Sequence, residues 1–145
     1  MTAPSIEGTY ALRRRQLPDG SWQYHPDIHG MMTFTREYRN FSVLWRDEQG
    51  NYYSECYVAR YALTASEYTE TSEYLVINDQ IGGHSISYDL ASHTASAPII
   101  SDEEHVAFDL PQQFERQLSI RVEFRGPELI ATGKGLFVDY WERVP

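Results

Sequence analysis

Along most of this chain apolar and polar residues alternate in short runs, separated by clusters of Gly, Pro, Asn and Asp. A period of two puts one set of side chains on a buried face and the other on an exposed face, so such runs predict half-buried β-strands. The first covers residues 9–16 and stops at the Pro18-Asp19-Gly20 turn, after which 22–24 pair back. Further strands are predicted over 30–35, 40–46, 52–63, 70–77, 84–90, 119–124, 129–132 and 136–144. Their connections carry turn chemistry, as in Arg125-Gly126-Pro127-Glu128 and Gly133-Lys134-Gly135. Between residues 91 and 118 the alternation dissolves. There Ser101-Asp102-Glu103-Glu104 has the composition of a helix start, and 111–118 fit one or two helical turns. This stretch is expected to be a long loop or short-helix segment, of the kind that serves as a lid. Strands at near-even spacing with almost no helix predict an all-β fold, an up-and-down antiparallel β-barrel of about eight or more strands. No repeat or linker interrupts the pattern, so residues 1–145 read as a single domain.

The same alternation assigns faces. Phe41, Val43 and Trp45 share one, Tyr57, Ala59 and Tyr61 share another with Tyr53 and Glu55, and His84, Ile86, Tyr88 and Leu90 share a third. Tyr74 lies in a run apolar on both faces, which predicts its burial. Ile120, Val122 and Phe124 lie in phase, and carrying that face across the next two turns adds Leu129 and Ala131, then Val138 and Tyr140. The chain ends suggest a different register. Tyr10 opposite Arg143 sets Leu12 opposite Trp141 and Arg14 opposite Asp139, an ion pair in the barrel wall. A slip of one residue exchanges the two faces. Both patterns hold only with a bulge, or with the outer face covered by a second subunit, so a homodimer is among the assemblies the pattern allows.

Composition narrows the partners. A formal net charge of -9, from 21 acidic and 12 basic residues, disfavours nucleic acid and anionic membranes. The one basic cluster, Arg13-Arg14-Arg15, is either a solvated strand face or an anion contact. Cys56 is the single cysteine, no apolar run reaches the ~20 residues of a membrane span, and the Met1 end lacks a signal-peptide pattern, so a cytoplasmic setting is expected. Eleven Tyr and three Trp suit strands around a wet or ligand-filled interior, although β-propensity alone also favours Tyr. The five His residues lack metal-ligand spacing, and Pro26 disfavours the helix that would align His25 with His29. No phosphate loop or nucleophile elbow is present, and no cofactor is expected.

Gly8-Thr9-Tyr10 resembles the Gly-x-Trp opening of lipocalins, with Tyr in place of Trp, and Trp141-Glu142-Arg143-Val144 resembles the close of bacterial lipocalin-like domains. Residues 30–43 and 121–131 resemble two internal strand pairs of that calycin-type family. The resemblance implies a barrel with Tyr10 at its closed end covered by Arg143, and it places Arg121 at a recurrent arginine position. With the aromatic faces it suggests a small hydrophobic or aromatic ligand. The leading expectation is a cyclase or isomerase of secondary metabolism, working by substrate shaping and acid–base polarisation through His84, Tyr74 and Arg121. Arg14, Trp45, Tyr57, Tyr61, Tyr88, Asp139 and Tyr140 would line its pocket. The alternatives are a non-catalytic carrier and a barrel filled by its own side chains; a ligand site of ordinary size would show a void above about 300 Å³.

Overall fold

The structure, a computed structural model, describes residues 4–110 and 119–145. Among these residues there is no helix, and every strand pairing is antiparallel. The first half comprises β1 (Gly8–Gln16), β2 (Trp22–Gln23), β3 (Ile28–Phe34), β4 (Tyr38–Arg46), β5 (Tyr52–Leu63) and β6 (Glu67–Asp79). Three short strands follow, β7 (Ser87–Asp89), β8 (Thr94–Pro98) and β9 (Ile100–Ser101). β10 (His105–Asp109), β11 (Ile120–Arg125), β12 (Glu128–Gly133) and β13 (Phe137–Arg143) complete the sheet. Its order is β7-β6-β5-β4-β3-β1-β13-β12-β11-β10-β9, so the first and last long strands lie side by side at its centre. β8 and β9 form one stretch interrupted at Ile99. β8 pairs with β6 and β9 with β10, which bridges the two ends of the path and curls the sheet into a barrel-like form.

Inward-facing aromatic and aliphatic residues fill one end of the interior. Phe34, Phe124 and Tyr10 meet edge-on, with centroids 5.4 Å and 5.8 Å apart, and Phe108 stacks on Tyr68 at 4.2 Å. β3 crosses Trp141 only because position 30 is glycine: a Cβ there would lie 2.7 Å from Trp141 Cη2 and 3.1 Å from Leu12 Cβ. The expected contact between Arg143 and Tyr10 is present as well. The Arg143 guanidinium lies 5.6 Å from the Tyr10 ring centroid and donates to the Glu7 carbonyl.

Two bulges set which side chains point inward. β1 follows the expected register through Tyr10–Arg143 and Leu12–Trp141, and then a bulge absorbs Arg13. Beyond it Arg14 faces Tyr140 and Arg15 faces Asp139, so the buried partner of Asp139 is Arg15 and not Arg14. The extension of the apolar face to Val138 and Tyr140 also fails. A three-residue connection with Gly135 at φ 78° pairs Gly133 with Phe137, odd with odd, which turns Phe137, Asp139 and Trp141 inward. In β6 the register shifts again between Ala59–Ser72 and Val58–Tyr74, leaving Glu73 unopposed. Tyr68, Glu70 and Ser72 face in before the bulge, Leu75 and Ile77 after it. Tyr74, expected to be buried, is therefore on the outside.

Most of the region from 91 to 110 is strand, as β8, β9 and β10, not the loop or helix start that its sequence suggests. Asp102 Oδ1 accepts the Glu104 N–H at 2.9 Å, making a tight Asx turn between β9 and β10. The predicted helical turns at 111–118 lie outside the described residues. No helix among the described residues is long and apolar enough to cross a membrane.

Candidate functional site

Between the inner faces of β1, β3, β4, β5 and β11–β13 lies a cavity of about 60 Å³. Its wall is mostly apolar, with Met32, Phe41, Val43, Val122 and Phe137, but Arg15, Arg39, Glu55 and Asp139 also reach it. Four ionisable groups in so small a space are what the fold has to accommodate.

The first pair is Arg15 and Asp139. Arg15 Nε donates to Asp139 Oδ1 at 2.6 Å and Nη2 to Oδ2 at 2.9 Å, a two-pronged bond between side chains 4% exposed. The guanidinium also lies 4.2 Å from the Trp45 ring and 3.9 Å from Phe137. Burial raises the Asp139 pKa more than Arg15 lowers it, which measures how dry this wall is.

The second unit centres on Glu70. It accepts from Arg39 Nη1 at 3.1 Å and the Tyr68 hydroxyl at 2.6 Å through Oε1, and from the Tyr57 hydroxyl at 2.6 Å through Oε2. Burial opposes the charge on Arg39, but attraction to Glu70, helped by Tyr68, Tyr57 and Glu55, outweighs it and holds the guanidinium above its ordinary pKa. The Tyr68 hydroxyl is pushed well up, by burial first and then by the Glu70 charge. Three such bonds hold the Glu70 carboxyl in one orientation, and it fixes Arg39 in turn.

Glu55 differs from both. It sits on β5 opposite Val43 and Ile77, is buried, and its Oε1 has no hydrogen-bond partner among the described residues. Burial pushes its pKa up to about 7, only partly countered by Arg39. Two donors share that condition: Arg39 Nε and Trp141 Nε1 are buried and unpartnered. Arg39, Glu55 and Trp141 all line the one cavity. An unmet buried polar group costs about 1–3 kcal/mol, so three around one apolar space mark a site built for something polar.

The residues expected from sequence divide sharply. Trp45 and Asp139 line the cavity, and Tyr57 supports it through Glu70. Tyr61 stacks on Tyr68 at 5.7 Å and donates to the Thr35 carbonyl, its pKa pushed to about 12 by burial first and by Glu7 and Tyr10 after it. Arg14 and Tyr140 stack on the outer face, 4.4 Å from guanidinium to ring, with Trp22 on the same guanidinium at 4.6 Å. His84 is exposed in the turn before β7, and Tyr88 is 70% exposed beside Val76. Arg121 is exposed and pairs with Asp109 at 3.3 Å, while Tyr74 faces out with Val76. The structure therefore does not bring His84, Tyr74 and Arg121 together. Sequence reasoning missed Arg15, Arg39, Glu55, Glu70 and Trp141 as site residues. One signal was available: Arg39 is in phase with Phe41, Val43 and Trp45, and Glu55 with Tyr57 and Ala59. A charged residue in phase with an aromatic face is a buried charge.

Fold and site together define a class, an all-β antiparallel barrel-like protein whose small apolar cavity holds paired and unpaired ionisable groups. Within that class no particular relative emerges: the chain matches no family model, no curated protein and no solved structure.

Proposed function

We propose that this chain takes a compact, mainly apolar small molecule into its barrel and moves a proton on it, with Glu55 as the acid–base group. The observation that carries the reading is Glu55 itself, a buried carboxyl with an unpartnered oxygen, facing an apolar cavity and titrating at about 7. Proton transfer is most effective when the catalytic pKa lies near the working pH, and burial is how a carboxyl reaches it. The reaction class is isomerase-type. Ionised Glu55 removes a proton from carbon beside a carbonyl, and one of the unpartnered N–H groups, from Arg39 or Trp141, meets the charge that develops on oxygen. The protonated carboxyl then returns the proton to a different atom, so nothing is oxidised or consumed.

At about 60 Å³ the cavity is far below the ~300 Å³ of an ordinary ligand pocket. It suits a small carbonyl compound better than the multi-ring substrates of a secondary-metabolic cyclase. A lipocalin-like relationship is supported by the paired end strands and by Arg143 over Tyr10. A cytoplasmic setting fits an exposed thiol at Cys56.

The test is substrate-independent. The protein is incubated in D₂O with a panel of small ketones and aldehydes, and deuterium entry beside the carbonyl is followed by NMR. The native chain is expected to accelerate exchange of at least one compound, and Glu55→Gln to lose about 100-fold or more of that rate with its fold intact. Stoichiometric binding without exchange identifies a carrier and removes the enzyme reading. So does exchange that survives Glu55→Gln.

A further inference from the structure

The three unpartnered atoms restrict the ligand further. Resting on the assignment of proton transfer to Glu55, we infer that the substrate is a neutral, compact 1,3-dicarbonyl compound or its enol.

The number and origin of the donors call for two oxygens. Arg39 comes from β4 and Trp141 from β13, and in the sheet β3 and β1 lie between them. Neighbouring strands are about 4.8 Å apart, so the two donors start from well-separated parts of a curved wall and serve separate acceptors. Each is fixed. Arg39 is anchored through Nη1 on Glu70, which leaves its buried Nε unpartnered on a residue that lines the cavity, and the Trp141 indole is packed against Gly30. An indole N–H only donates, as does a guanidinium, so both ligand atoms they meet are acceptors.

Charge balance argues for neutrality. Arg15 is matched by Asp139 and Arg39 by Glu70, both within hydrogen-bond distance. An anionic ligand would add an uncompensated charge beside Glu55 in a space lined mainly by apolar side chains. A neutral molecule with two carbonyl oxygens adds none. Its central C–H is far more acidic than that of a simple ketone, and so falls within reach of a carboxylate base.

The step balances. Ionised Glu55 takes the proton from the central carbon, and the C–H electron pair becomes the new C=C bond. The π pair of one carbonyl moves onto the oxygen held by an N–H. The Glu55 acid then delivers its proton to that oxygen, giving the enol, or to the second oxygen, giving the enol shifted to the other carbonyl.

The experiment uses the full chain, ¹⁵N-labelled and assigned in its native form, titrated with pentane-2,4-dione, acetone or acetate. The dione is expected to shift both the Trp141 Nε1–H and the Arg39 Nε–H resonances, and to bind about tenfold or more tightly than acetone, which can satisfy only one donor. Acetate is expected to leave both unmoved. Equal binding of acetone and dione, with Glu55-dependent deuterium exchange intact, overturns the dicarbonyl assignment while leaving proton transfer standing. Preference for acetate overturns neutrality. Absence of Glu55-dependent exchange on every carbonyl compound tried removes the proton-transfer reading and this inference with it.

Discussion

Glu55 and Glu70 are two buried carboxyls on neighbouring strands with opposite fates, and hydrogen bonding is what separates them. Glu70 accepts three bonds and holds Arg39, whereas Glu55 Oε1 accepts none. Glu55 therefore costs the folded state free energy whenever it is ionised. Below its ordinary value of 4.5 the carboxyl is protonated both folded and unfolded, and contributes no difference. Between 4.5 and about 7 the folded chain keeps a proton that the unfolded chain has lost, so stability falls as pH rises through that window. Above it the full penalty applies, about 3 kcal/mol at 1.4 kcal/mol per unit. Glu55→Gln carries no such charge. In urea denaturation the variant should gain about 3 kcal/mol on the native chain between pH 4 and pH 8, with most of the gain above pH 5. A constant difference across that range would mean that Glu55 is solvated or paired when ionised. A side chain that lowers stability at neutral pH is the expected signature of a group kept for chemistry.

At the scale of strands, the two bulges decide which charges enter the barrel, and they mark the limit of what alternation reveals. The existence and order of the long strands were legible, because Tyr52–Leu63 and its neighbours alternate cleanly. The face of each strand was legible only as far as its first irregularity. A bulge is one residue of backbone with no side-chain signature: nothing in three consecutive arginines says which is extra, and nothing in Thr71-Ser72-Glu73-Tyr74 announces the shift that turns Tyr74 outward. Glu55 and Arg39 were on legible faces, but the lack of a partner for Glu55 Oε1 and for Arg39 Nε is a three-dimensional fact. The arginine run yields a direct prediction. Deleting one arginine removes the bulge yet leaves an arginine opposite Asp139, so it should cost about 1 kcal/mol or less. Deleting two brings Gln16 opposite Asp139, leaves the carboxylate buried and unpaired, and should cost about 3–5 kcal/mol. Thermal or urea unfolding distinguishes the outcomes. Equal losses for both deletions would show that the wall tolerates no change of length and that the pair is not the stabilising element.

For the whole molecule, the question is how a sheet that begins at β7 and ends at β9 becomes a container. Backbone pairing alone is thin at the junction, since β9 contributes two residues, Ile100 and Ser101, to β10. Side chains reinforce it from inside. Phe108 of β10 stacks on Tyr68 of β6 at 4.2 Å with planes 20° apart, while Tyr68 donates to the Glu70 carboxylate that holds Arg39. Phe108 is therefore the point where closure and the site are coupled. Phe108→Ala should cost about 3–5 kcal/mol, the usual range for emptying a buried aromatic position. Ile100→Ala, on the same edge but 64% exposed, should stay within about 0.5 kcal/mol of the native chain. Coupling makes a stronger demand. If the stack closes the barrel, Phe108→Ala should lower the hydrogen-exchange protection of β6 and β10 together, and the Glu55 pKa should move back toward 4.5 as water reaches the cavity. Loss of protection confined to β10, with Glu55 still titrating near 7, would instead make Phe108 a local packing residue and the barrel a sheet that keeps its curl without that contact.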